Sequence, residues 1–309
     1  MYQPRTDLAL EAHELASKKT HSPIDGIVYK EENLNNFKMT RVEINSDEAS
    51  QKTGKPKGKY LTLHTETLWN EGSDALIRAV KALSTLIEEL TKGKTDERPI
   101  LITGLGNVTI TADAIGPKAL EHIIVTRHIK SASPDLFDDL GLFDIAALSP
   151  GVLSQTGVET TEIIKSLVDK ISPSLVIAID SLASKNLERL VTTIQLSDTG
   201  ISPGSGMGNR RTALNRDTLG VPVISIGIPT VVDAGALAFD LLEKHCKKSR
   251  RENIINEIFE EGFGGDLQYF VTPKDTDMII SCLAKTIGYG INLAFHKNLE
   301  YEEMVSIAN

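Results

Sequence analysis

At 309 residues, 40% hydrophobic and 24% charged, the chain has the composition of a globular protein long enough to bury a substantial core. Its formal net charge of −9 argues against a general nucleic-acid-binding surface, because neutralising phosphates needs a basic face. There is no secretory signal and no apolar run long enough to read as a membrane span, and Cys246 and Cys282 form no CxxC pair; the reading is a reduced cytoplasmic protein.

Residues 1 to about 32 are polar and carry no strand alternation. The stretch 39–68 then alternates twice, in "TRVEIN" and "KYLTLHTETL", around the Gly/Lys/Pro-rich "QKTGKPKGK", which predicts a hairpin or a pair of edge strands. In "DALIRAVKALSTLIEEL", Leu76, Val80, Leu83, Ile87 and Leu90 fall on one helical face. After it, apolar strands and helices alternate. "PILITGLGN" reads as a buried strand and a Gly-rich turn, "GPKALEHIIVTRHI" as a helix entered through Pro117, "TTEIIKSLVDKI" as a helix and "SLVIAID" as a strand. "VPVISIGIPTVVD" reads as a strand leaving through Pro229, followed by the helices "DAGALAFDLLEKH" and "DTDMIISCLAKTIGYGINLAF". The pattern predicts an α/β fold with a mainly parallel or mixed sheet, helices on both faces and a strand-rich N-terminal part. Residues 8–309 are expected to form a single domain.

In an open α/β sheet, ligands bind beyond the carboxyl ends of the strands. Two such ends carry an acid: Asp113, in "LITGLGNVTITADAIGP", and Asp180, closing "LVIAID". Each alone is readable as a helix cap. Together they lie at one edge of one sheet, where two close carboxylates cannot both ionise easily and one is held protonated, the state a general acid/base pair needs.

Other motifs carry less. "GLGN" lacks the third glycine of a dinucleotide loop and is readable as a tight turn. "SPGSGMGNRR" is readable as an anion- or peptide-binding loop or as a surface loop. Asp198 stands in a Asp-Thr-Gly tripeptide, the mark of pepsin-like proteases, but those enzymes need two such loops on an all-β body or one per subunit of a small dimer; Asp198 is read as a chance match. The seven histidines are scattered, without HExxH, and no GxSxG elbow is present; no metal or cofactor is expected.

"RTDLALEAHEL", "GLGNVTITADAIGP", "ALSPGVLSQTGVET", "VIAIDSLAS", "TTIQLSDTGISPGSGMGN" and "VPVISIGIPTVVDA", in this order and over nearly the whole chain, resemble the germination protease family of bacterial spores. The resemblance implies a fold related to the hydrogenase-maturation endopeptidases and a homotetramer made as an inactive zymogen in the developing spore. It also implies an atypical aspartic mechanism with two essential aspartates, falling on Asp113 and Asp180, and small acid-soluble spore proteins as substrates. Ala112 and Ser181 stand where family members commonly have Pro and Ala. The family's preferred cleavage pattern matches Thr6-Asp7-Leu8-Ala9-Leu10-Glu11, so self-cleavage between Asp7 and Leu8 is expected, within a polar terminal segment expected to be accessible, releasing residues 1–7. The rival readings are a metal-dependent maturation-type peptidase on the same fold and a non-enzymatic anion or nucleotide sensor.

Overall fold

The computed structural model describes residues 6–20, 24–66, 68–204, 211–245 and 269–308. Within the polar first 32 residues, the stretch 9–20 is helical and partly buried. Helix α1 (Ala9–Thr20) buries Ala9, Ala12 and Ala16, a stripe of small side chains that favours a helix but gives little hydropathy signal. Strand β1 (Ile27–Leu34) is exposed along most of its length, so it lacks the alternation by which a half-buried strand is recognised. It forms because Asn35 and Asn36, at φ 50° and 67°, make the tight turn that pairs it with β2 (Phe37–Ile44). The expected pairing of β2 with β3 (Gly58–His64) is present and antiparallel, but the two are joined through helix α2 (Asp47–Thr53), capped by Ser46 and ended by left-handed Gly54, and not by a simple turn.

One mixed sheet runs through the molecule in the order β1-β2-β3-β7-β8-β6-β4-β5, where β4 is Ile100–Gly104, β5 Ile145–Leu148, β6 Leu175–Ser184, β7 Thr193–Ser197 and β8 Val223–Asp233. A two-residue β9 (Phe270–Val271) pairs with the end of β8. From β8 to β5 all neighbours are parallel; from β1 to β8 all are antiparallel. The antiparallel part extends further than the sequence pattern implied, because β7 reads "TIQLS", wholly buried yet half polar. β8 does not leave at Pro229 either. The proline sits inside the strand opposite Leu182, beside a register shift between Leu182 and Ala183 that accommodates its missing N–H.

Helices cover both faces. On one, α3 (Ser73–Thr91) sets Leu83, Ile87 and Leu90 against Ile100, Ile102, Ile177 and Ile179 of the sheet and against α11 (Thr276–Phe295). On the other, α8 (Thr160–Ile171) sets Ile164 and Val168 against Leu101, Val176 and Ala178, the alternate residues of the same strands. α11 is long and apolar enough to cross a membrane, contrary to the sequence reading, but most of it is buried in the protein. The predicted helix over 116–129 is broken. α4 (Ile115–Leu120) stops where Asn292 of α11 accepts the Ile124 N–H (2.9 Å) and donates to the His122 carbonyl (2.8 Å); α5 (Arg127–Ala132) then begins anew. The remaining helices are α6 (Pro134–Asp139), α7 (Leu153–Thr156), α9 (Arg216–Leu219), α10 (Ala234–His245) and α12 (Tyr301–Ala308).

Candidate active site

Asp180 is fixed by the divergence of two parallel strands. β4 stays beside β6 as far as Gly104, opposite Ile179, and the Leu105 N–H still reaches the Ile179 carbonyl at 2.8 Å. There the chain turns into the loop 105–113, and β6 continues four residues past Asp180 with β8, among the described residues, as its one strand partner. The strand therefore does not end at Asp180, as its sequence suggested, and Asp180 caps no helix. Its carboxylate is buried at 5% exposure and accepts the Ser181 N–H at 2.8 Å.

Asp113 reaches the same place from the loop after β4. Its backbone N–H bonds the Ile110 carbonyl (2.8 Å), closing a short 3₁₀ turn, and its Oδ2 accepts the Asn107 N–H at 2.8 Å. The carboxylate thus bridges back across its own loop instead of capping α4, whose N-cap residue, Ala114, makes no side-chain cap. This fold-back needs Gly106, at φ 109°, where a side chain would collide with the Asp113 main chain. "GLGN" is therefore the cradle of a carboxylate. Two further bonds hold the loop from outside: Thr230 of β8 donates to the Ala112 carbonyl (2.6 Å), and Gln155 donates to Asn107 Oδ1 (2.9 Å).

Asp113 and Asp180 line one cavity of about 280 Å³ together with Asp7, Thr230 and Arg211, the last from the end of "SPGSGMGNRR". Residues 205–210 of that motif lie outside the described residues. Burial raises the Asp113 carboxyl above the ordinary range, opposed by the Asn107 N–H and the Arg211 charge. Burial, followed by the charge of Asp113, pushes Asp180 well above it; Asp7 pushes the same way, while the Ser181 N–H and Arg211 pull back. The charge of Asp113 acts on Asp180, and a buried carboxyl that faces another keeps a proton more readily than it would alone. Such a pair can take a proton from water and give one to a leaving group. Among the described residues, no three His, Cys, Asp or Glu side chains converge as a metal-binding group.

The model of a family described as germination protease matches residues 6–257, a span that contains both aspartates. The chain belongs to the germination protease family. It is 43% identical to the germination protease of Caldanaerobacter subterraneus subsp. tengcongensis over 97% of this chain and 96% of that one. It is 40% identical to that of Clostridium perfringens over the whole of both chains, and 35% identical to that of Bacillus cereus over 97% and 96%. The family is one of peptidases.

Asp198 lies apart from the cavity. It accepts the Lys59 N–H (2.8 Å) through Oδ1 and pairs with Lys94 (3.3 Å) through Oδ2, pinning the end of β7 to the start of β3. That is a structural task for the Asp-Thr-Gly aspartate. Asp7 and Leu8 are not on an accessible tail, as their polar surroundings suggested. Leu8 is wholly buried, and Asp7 exchanges bonds with Ala183, its N–H donating to the Ala183 carbonyl (2.9 Å) and its Oδ2 accepting the Ala183 N–H (2.8 Å). Downstream, Glu11 is fully buried and accepts from Ser184 Oγ (2.7 Å) and the Lys185 N–H (2.8 Å). Sequence reasoning missed Thr230 and the holding of Asp7, both of which depend on strands distant in the chain. Arg211 had a signal, the pair of arginines closing a glycine-rich loop.

Proposed function

We propose that this chain is an aspartic-type endopeptidase that degrades small acid-soluble spore proteins when spores germinate, with Asp113 and Asp180 as its catalytic pair. The observation that carries the reading is the convergence of the two carboxyls, one from the loop after β4 and one from within the adjacent parallel strand β6, in one cavity where both are raised and Asp113 raises Asp180. The ionised member takes a proton from water as the water oxygen adds to the peptide carbonyl carbon. The protonated member gives its proton to the carbonyl oxygen. On collapse, one diol hydroxyl returns a proton to the pair, the amide nitrogen receives the other, and the C–N bond breaks. The pair ends with the single proton it began with.

The same cavity contains Asp7, which supports synthesis as a zymogen cut between Asp7 and Leu8. Because Leu8 is buried and Asp7 is held by Ala183, the cut is made within the molecule, at a rate independent of protein concentration. A homotetramer in the cytoplasm of the developing spore completes the reading.

The test is digestion of a purified acid-soluble spore protein with and without chelator. Undiminished cleavage with chelator, abolished by Asp113→Asn or Asp180→Asn in folded protein, is expected. Chelator-sensitive cleavage would favour the metal-dependent rival, and none at all the sensor.

A further inference from the structure

Thr6 and Asp7 are held in a way that the packing of α1 does not require. The helix is anchored downstream, by burial of Leu8, Ala9, Leu10 and Ala12 and by Glu11. Upstream of Leu8, Thr6 Oγ1 ties into the start of the helix, accepting the Leu8 N–H (3.0 Å) and donating to Glu11, and the main chain of Thr6 and Asp7 is gripped besides. Lys55, just after the cap of α2, donates from Nζ to the main-chain carbonyls of Thr6 (3.1 Å) and Asp7 (2.9 Å). Gln195 of β7 spans the next peptide, accepting the Ala9 N–H (2.7 Å) and donating to the Asp7 carbonyl (3.4 Å). Ala183 turns both its N–H and its carbonyl to Asp7.

Most of these contacts are to the main chain, so they would hold other sequences too. Lys55 is the most telling of them. Burial lowers its pKa against the opposing charges of Asp7 and Glu11, yet among the described residues it makes no ion pair, and both its acceptors are carbonyl oxygens. The residue is half-buried, and an ammonium even partly withdrawn from water is costly to keep unless it has acceptors to hold. Lys55 also lines a second cavity of about 370 Å³, and Asp7 and Leu182 are walls common to that cavity and the one with the two aspartates. Asp7 thus stands between the cavity of the carboxyl pair and the one that Lys55 lines, with Thr6 on the Lys55 side. Extended peptides are commonly bound through such main-chain bonds, with neighbouring cavities for the side chains.

We propose that Lys55, with the Ala183 main chain and Gln195, forms a substrate subsite that takes the main chain of a protein substrate in the place held by Thr6 and Asp7. The proposal rests on the peptidase reading above and adds to it the part of the site that binds without doing chemistry. Departure of residues 1–7 would free both the Lys55 ammonium and Ala183 for a second peptide.

Two measurements on the full chain, before and after it has cut itself, test this, with a synthetic peptide of the sequence of residues 3–14 as the probe. The first is acylation of Lys55 read by mass spectrometry. Lys55 should resist reagent in the uncut chain, react once the leader is lost, and be protected again by saturating peptide. Equal labelling with and without peptide would overturn the subsite, as would a chain that keeps its first seven residues and still cuts the peptide. The second is steady-state cleavage by Lys55→Met and Lys55→Arg. Loss of charge-assisted bonds that hold ground and transition state alike should raise KM about 10-fold or more in Lys55→Met with little change in kcat, and Lys55→Arg should recover most of it. A purely structural Lys55 would give a lower melting temperature and an unchanged KM, which refutes the proposal. Protection of Lys55 by a peptide that is never cut would uphold the subsite and overturn the peptidase reading.

Discussion

Gly106→Ala tests the placement of Asp113 without touching a titratable group. At φ 109° the backbone is outside the regions open to a residue with a Cβ, a strain of about 1–3 kcal/mol. The new methyl would also lie 2.9 Å from Asp113 Oδ1 and overlap the Asp113 carbonyl oxygen. Carbon–oxygen contacts usually begin near 3.3 Å, so the carboxylate alone must retreat by about 0.4 Å, and the main chain that carries it farther. A misplacement approaching 1 Å can cost about 10²-fold in rate. The expected result is a fall in kcat/KM of about 100-fold, with a loss of stability of about 1–3 kcal/mol by urea unfolding. Gly220→Ala is the control: it has φ 78°, nothing lies within 4 Å of its added methyl, and it closes α9 away from both cavities. It should lose about 1–2 kcal/mol from backbone strain and keep its activity. Wild-type turnover in folded Gly106→Ala would show that the loop geometry around Asp113 is irrelevant to the chemistry, and would refute the pairing of Asp113 with Asp180.

Asp180→Asn should become more stable relative to the wild type as the pH rises. A carboxyl raised in the folded state contributes stability that is complete below its unfolded value of about 3.9 and is lost as pH climbs through the folded value, a loss the amide escapes. Urea midpoints at about pH 4 and about pH 8 measure this, and a gap that shrinks with pH would contradict the upward shift. Self-cleavage after Asp7 should quicken in mild acid, which keeps the shared proton on the pair; N-terminal sequencing should find Leu8, and an intact terminus on fully active enzyme would sink the idea. Asp198→Asn should retain activity and lose about 1–3 kcal/mol of stability from its bonds to Lys59 and Lys94, whereas complete loss of activity in the folded variant would return Asp198 to the chemistry. Light scattering should give a tetramer at micromolar concentration, and a monomer would count against the assembly.

Much of the parallel half of the protein was legible in its sequence, because there each element carries its own signal. The 3.6-residue apolar period of α3 and α8 and the continuous apolar runs of β4, β6 and β8 are local facts, and they place Asp113, in the loop after β4, and Asp180, on β6, at one edge of the sheet. The antiparallel half was not legible in this way. β1 is exposed on both faces and owes its existence to pairing with β2, while β7 buries Thr, Gln and Ser because β3 and β8 close over it. Likewise, "GPKALEHIIVTRHI" has the residues of one continuous helix and is cut by Asn292, which lies some 170 positions away in α11. The polarity of Thr6–Glu11 suggested an exposed tail, yet every partner that draws it inward, from Lys55 to Ala183, Ser184 and Gln195, is distant in the chain. Sequence determines what a residue can offer, a carboxylate, an ammonium or a turn. Which of these groups lose their water and face one another depends on contacts between distant segments, and those exist only once the sheet has closed.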